Sequence, residues 1–169
     1  MTIANRIIGL RVVKAACLKK HPKNWRTHPE NQRAAVRALI SEVGFADALI
    51  AREDKDGSLV LIDGHLRAEI ADEESVPVLV LDVSEDEAEK LLLTIDPLSA
   101  MADLDREKLD ALLSADATKD KALCELKEKM AAAAGLIEDR DAPETSSKEI
   151  ELGEFTFAHT CTECGFEFN

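Results

Sequence analysis

The chain has 169 residues, 33% of them charged, with 34 Asp and Glu against 21 Lys and Arg for a formal net charge of −13. That length suits one main domain with a sizeable core, and no apolar run reaches the roughly 20 residues of a membrane helix, so a cytoplasmic protein with no membrane partner is expected. The charge is uneven: residues 1 to 40 carry nine Lys and Arg against the single acid Glu30, about +8, so any phosphate or DNA contact is expected there, away from the acidic remainder.

Residues 8 to 18, GLRVVKAACLK, mix β-branched residues with bases and read as a first strand. The polar HPKNWRTHPE that follows is a loop. Pro29 suits the first turn of a helix over residues 29 to 43, in which Val36, Leu39, Ile40 and Val43 form a stripe expected to face the core and Gly44 supplies a left-handed cap. ADALIARE and SLVLID flank DKDG and read as a hairpin turning at Gly57, their continuous apolarity implying burial on both faces. LIDGHLRAEIA then passes from strand into short helix, VPVLVLDV is a further buried strand, and SEDEAEKLLLTI is a helix opened by a Ser84/Glu87 capping box and closed by Pro97.

The order is therefore strand, helix, hairpin, short helix, strand, helix. Beyond it, LDREKLDALLSADATKDKALCELKEKMAAAAG reads as two acidic helices stopping at Gly135. Residues 137 to 154 are acidic and nearly free of large apolar groups, which marks a linker, and residues 155 to 169 hold four of the five Phe and form a separate small unit. This gives segments at 1–100, 101–136, 137–154 and 155–169.

The strand-to-helix turn at Gly64 carries the clearest chemistry. A helix N-terminus presents unpaired backbone N–H groups and partial positive charge, and anions bind there readily. Gly64 would remove a Cβ from the path of a phosphate, Arg67 offers a planar fork for its oxygens, and His65 adds a donor or positions the loop. The plain alternative is a turn in which Arg67 pairs with an acid such as Asp63 or Glu69 and His65 is solvated; spacing alone leaves both open.

HPKNWRTHPENQ, the helix ending in VGF, the hairpin ending in LIDGHLRAE, then VPVLVLDV and EAEKLLLTIDPL together resemble the N-terminal ParB-like domain of the ParB/sulfiredoxin superfamily, in the form found in phage and mobile-element proteins. The resemblance covers roughly residues 8 to 115. It implies an α+β fold whose G-x-x-R turn binds nucleotide phosphates, making Gly64, His65 and Arg67 phosphate contacts and placing Asn24 and Arg26 on the opposite wall of the same pocket. It further implies a nucleoside triphosphate with Mg²⁺ as ligand, a DNA-associated role through the basic N-terminal part or a protein partner, and a homodimer.

Three departures qualify this. His65 stands where sulfiredoxins carry a catalytic Cys, so sulfinic-acid reduction is not expected. LTIDPLSA replaces the polar Glu-Asn-x-Gln-Arg segment of partition proteins, leaving Asp96 as the magnesium ligand of that region. Asn24 lies where hydrolysing relatives place Gln, so binding is expected rather than turnover. The two acidic helices after residue 100 also lack the positive charge of a DNA-recognition helix. A second reading makes the pocket an enzyme, as nucleotide hydrolase, kinase-like transferase or nuclease, with Arg67 stabilising charge and Asp63, Glu69 or Asp96 holding metal or activating a nucleophile. Trp25 either stacks on a base or packs the loop against the first helix, the latter preferred.

In the tail, Cys161 and Cys164 form one edge of a tetrahedral zinc site with His159 as third ligand. The fourth ligand is open: Cys17, Cys124, His28, or a second subunit's tail. A free dithiol is the alternative, and a third functional reading makes the chain a zinc-tailed interaction scaffold with a vestigial pocket.

Overall fold

The computed structural model describes residues 3–137 and the backbone of two short strands in the tail. Contacts divide the chain into two units, Met1–Glu138 and Asp139–Asn169. The first is α+β. Its elements are β1 (Ile7–Lys14), a 3-10 turn (Ala15–Cys17), α1 (Glu30–Val43), β2 (Leu49–Glu53), β3 (Leu59–Asp63), α2 (His65–Ala71), β4 (Ser75–Leu81), α3 (Glu85–Ala100), α4 (Arg106–Ala115) and α5 (Lys121–Ala133). In the second unit β5 (His159–Thr160) pairs antiparallel with β6 (Glu167–Phe168). Cys161 and Cys164 lie outside the described residues, as do residues 138–158, and so does the geometry of a zinc site at that tail.

The sheet runs β1-β4-β2-β3, with β1/β4 and β2/β3 antiparallel and β2/β4 parallel. Its interior is set by Leu49, Leu61, Val76, Val78 and Val80, all essentially inaccessible. Burying each such side chain contributes about 1.5–3 kcal/mol, which places the stable centre of the unit at β2 and β4. β3 is buried on both faces as its run of apolar residues implies. β2 and β4 are not: in β2 Leu49 and Ala51 are buried while Ile50 and Arg52 are partly exposed, and in β4 Val76, Val78 and Val80 are buried while Pro77, Leu79 and Leu81 between them are half-exposed. That alternation corrects the expectation of strands covered on both sides.

Two further expectations are corrected. The first strand ends at Lys14 rather than at residue 18, because the N–H groups of Ala15 and Ala16 turn away to the carbonyls of Glu74 and Asp72. Pro97 does not end α3, which continues to Ala100. The Pro97 ring sits on the exposed side, and Leu93, four residues earlier and also exposed, has a carbonyl that water can satisfy, so the missing N–H does not break the helix. The Ser84/Glu87 capping box is present as read. After α3 the chain turns back, with Asp105 and Asp120 capping α4 and α5, and α5 lies along α1 in the same unit as the sheet.

The α1 stripe behaves differently from a core stripe. The buried residue of α1 is Ala35, outside the stripe, whereas Leu39 and Val43 are 51% and 64% exposed. These side chains border an open cavity instead of closing on the sheet.

Candidate functional site

A cavity of about 390 Å³ opens between α1, the start of α2 and α3. It brings together two stretches some forty residues apart in sequence: Asn24 and Arg26 of the first loop, and Asp63 to Arg67 of the strand-to-helix turn. Val36, Leu39, Ile40 and Phe45 form an apolar wall, and Leu92 and Ile95 of α3 face them. All five residues expected to contact phosphate border this space.

The turn is built by Gly64, at φ +90°, which lets β3 stop and α2 begin within one residue. A Cβ there would drive into the side chain of buried Leu49. The glycine is thus required by the core beneath the turn. Arg67, one turn into α2, spreads its fork between two carboxylates: Nη2 donates to Asp63 Oδ2 at 2.9 Å and Nη1 to Asp47 Oδ2. The pairing with Asp63 is the plain alternative realised, and Arg67, Asp63 and Asp47 all line the cavity.

On the facing side, Asn24 Oδ1 accepts from the Arg26 N–H at 3.3 Å and shapes the loop. Arg26 Nε lies 2.8 Å from Asp96 Oδ2 of α3, although it is not aligned for a hydrogen bond and is otherwise buried without an acceptor. Trp25 is 55% exposed, and the Arg26 guanidinium lies over its ring, 4.6 Å from the centroid.

His65 is neither solvated nor at the surface: it is 6% exposed, and its Nε2 accepts the backbone N–H of His21 at 3.3 Å. Burial pushes the imidazoles of His65 and His21 below their ordinary range, outweighing the attraction of nearby acids such as Asp63 and Glu89. Of the three acids expected to do chemistry, Asp63 and Asp96 reach the cavity. Glu69 is elsewhere, bound to Lys20 at 2.9 Å and to Arg33 at 2.8 Å, and these contacts hold its carboxyl below the usual range.

Asp47 and His28 also line the cavity, where neither was expected. His28 Nδ1 lies 3.0 Å from Gln32 Oε1, and Cys124 Sγ donates to the Thr118 carbonyl. Neither joins Cys17 in a ligand cluster; among the described residues no group of three or more His, Cys, Asp or Glu stands ready to hold a metal. Among the same residues no helix is long and apolar enough to cross a membrane.

The basic N-terminal quarter is not a bare cationic surface. Each of its nine bases pairs with an acid, eight of the bases with one of seven acids beyond residue 40: Arg6 with Glu87, Arg11 with Glu53, Lys14 with Glu73, Lys19 with Asp56, Lys20 and Arg33 with Glu69, Lys23 with Glu89, and Arg26 with Asp96; Arg37 pairs with Glu30.

No family model and no curated protein matches the chain. Among solved structures it is similar to the C-terminally truncated chromosome-partitioning protein ParB from Caulobacter crescentus complexed with CTP-gamma-S, with a TM-score of 0.50 and 19% identity over 73% of this chain and 63% of that one. A pNOB8-like ParB-N domain is similar at a TM-score of 0.45 and 20% identity, over 80% and 52% of the two chains. The Caulobacter ParB complexed to the centromeric parS site is similar at 0.42 and 17%, over 75% and 59%. The chain thus spans less than two thirds of the length of each of these structures. At such identities the likeness speaks to architecture, a mixed α+β fold similar to that of the truncated Caulobacter ParB.

Proposed function

We propose that the chain is a ParB-like module that binds a nucleoside triphosphate, or an equivalent nucleic-acid phosphate, in the cavity at Gly64 to Arg67. The observation that carries this reading is the meeting of Asn24 and Arg26 with His65 and Arg67 around one 390 Å³ space, a size suited to a small ligand. The apolar wall from α1 and α3 supplies a surface for a base, and the arginines flank the place for phosphates. The CTP analogue held by the Caulobacter structure supports a nucleotide as the ligand class.

The acids Asp47, Asp63 and Asp96 outnumber the arginines around this cavity, so a bare triphosphate meets repulsion. A Mg²⁺ arriving with its nucleotide offsets it, and the hard carboxylate oxygens of Asp63 and Asp96 suit that ion. Thermal shift of the purified protein with each ribonucleoside triphosphate and Mg²⁺ tests the reading. At a ligand concentration 100 times Kd, stabilisation of about 2.7 kcal/mol is expected, visible as several degrees in Tm and absent in Arg67→Ala. No shift with any of them would sink the proposal. The DNA-associated setting, in a phage or mobile element, a homodimeric state and cytoplasmic location belong to the same proposal. With the nine N-terminal bases already paired, contact with DNA is assigned to a partner protein rather than to that surface.

One observation favours turnover as a second reading: Asp63 and Asp96 face the same space as Arg67 and Arg26. Product analysis with labelled nucleotide separates it from binding, and absence of metal-dependent product would reject it. Zinc at His159, Cys161 and Cys164 is proposed as a structural ion of the tail; equal zinc content in the wild type and Cys161→Ser would exclude it.

A further inference from the structure

The two loops that make the cavity are joined behind its floor by one short chain of hydrogen bonds. His21-Pro22-Lys23-Asn24 forms a turn in which the Asn24 N–H donates to the His21 carbonyl at 3.0 Å, with Pro22 at the position that fixes φ for such a turn. The Lys23 N–H donates to His21 Nδ1 at 3.1 Å, which orients the His21 ring. The His21 N–H in turn donates to His65 Nε2 at 3.3 Å. Both histidines are more than nine-tenths buried, at 4% and 6% exposure.

This arrangement has a consequence for the ring of His65. A nitrogen that accepts a hydrogen bond carries no proton, so a neutral His65 must hold its proton on Nδ1. Burial, which disfavours the charged imidazole, keeps it in that neutral form at neutral pH. Nδ1–H has no acceptor among the described residues, and the open space that His65 borders is the cavity.

We infer that His21 is a positioning residue of the cavity: its backbone N–H fixes His65 in the Nδ1–H tautomer, so that the floor presents a neutral hydrogen-bond donor to a ligand phosphate while holding the Asn24–Arg26 loop in register with the Gly64 turn. The inference rests on the phosphate-binding reading and adds to it a residue that does not itself border the cavity. Such a donor is neutral. It binds an anion oxygen without adding a buried charge that would need a partner when the ligand leaves.

Two substitutions at His65 separate the ring's two nitrogens. Asn places its amide near Nδ1 and keeps a donor toward the cavity; Gln places its amide near Nε2, keeping the bond to His21 but losing that donor. Long-range ¹H–¹⁵N NMR of the full chain without ligand is expected to show His65 as the Nδ1–H tautomer at pH 7; the Nε2–H tautomer or an imidazolium overturns the inference. With inorganic triphosphate or a ribonucleoside triphosphate and Mg²⁺ as probe, His65→Gln is expected to weaken binding about tenfold and His65→Asn by less than about threefold, the scale of one hydrogen bond to a charged acceptor. His21→Ala should weaken binding, and His21→Asn, whose side-chain oxygen can still accept from the Lys23 N–H, should restore it.

Equal loss in both His65 variants, or none in His65→Gln, overturns the inference. If wild type binds and Arg67→Ala does not, that failure leaves the phosphate reading standing. If the wild type binds no phosphate ligand at all, the reading fails and takes this inference with it. Should His21→Ala not fold, the tautomer and the His65 pair still decide.

Discussion

Gly64 and Asp47 illustrate how single residues serve fold and site at once. Gly64 combines positive φ with a missing Cβ above Leu49, so Gly64→Ala meets both a left-handed backbone cost and an overpacked core. Those two effects amount to about 2–4 kcal/mol, to be read from urea denaturation, and a loss below about 1 kcal/mol would show that the turn relaxes freely. Asp47 is the reverse case. Its side chain is 73% exposed, so its pair with Arg67 contributes little to stability, yet it occupies half of the fork that a phosphate needs. Asp47→Ala should therefore leave Tm within about a degree and tighten triphosphate binding several-fold, measured by titration calorimetry. Weaker binding instead would mean that Asp47 orients Arg67 rather than competing for it. Part of this was legible in the sequence: G-H-x-R announced a turn with an arginine at its edge. The partners Asp47 and Leu49 were not, because no spacing rule links a loop acid or a strand leucine to a glycine fifteen or more residues away.

At the scale of elements, α1 shows what periodicity can and cannot say. Val36, Leu39, Ile40 and Val43 share one face, as the sequence indicates, but a shared face says nothing about whether it meets a sheet or an opening. Here it borders the cavity. Leu39→Ala should accordingly cost less than about 1 kcal/mol while reducing nucleotide affinity, whereas Leu49→Ala, in the sealed centre of the sheet, should cost about 2–5 kcal/mol. Comparable losses in urea midpoint for the two would contradict this division. The joint between the first loop and α2 carries its own signature. Since burial lowers the folded pKa values of His21 and His65, the unfolded chain takes up protons first as pH falls below about 6.5. The stability they contribute is whole above that pH and is lost progressively below it, toward their depressed folded values. The urea midpoint should fall between pH 7.5 and 5.5, and fall less in His65→Asn; identical slopes in both proteins would remove this assignment. The elements themselves were readable because capping box, hairpin turn and helix stops are local. The ends of β1 and α3 were not, since they depend on carbonyls of Glu74 and Asp72 and on which side of α3 faces water.

For the whole molecule, the charge asymmetry along the chain turns out to be a folding pattern rather than a surface pattern. A sequence with about +8 in its first forty residues and about −21 after them invites a reading as a basic binding arm on an acidic body. Folding brings the two together, so that each of the nine N-terminal bases lies against an acid, eight of the bases against acids from beyond residue 40. Most of these pairs are exposed and individually worth at most about 1 kcal/mol, but collectively they remove the free cations that duplex DNA would attract. To bind phosphates on this surface, the chain would have to release those carboxylates into the field of the same polyanion, while a net charge of −13 repels it at longer range. Non-specific duplex binding by basic surfaces typically has a Kd of roughly 10⁻⁴ to 10⁻⁶ M at physiological salt. The full chain should fall outside that range, giving no shifted band with a random 30-base-pair duplex at about 100 µM protein and 0.15 M salt, with or without nucleotide. Binding that appears and then weakens steeply as salt rises would show that the N-terminal pairs open toward DNA. Binding confined to nucleotide-loaded protein would show that the cavity controls them.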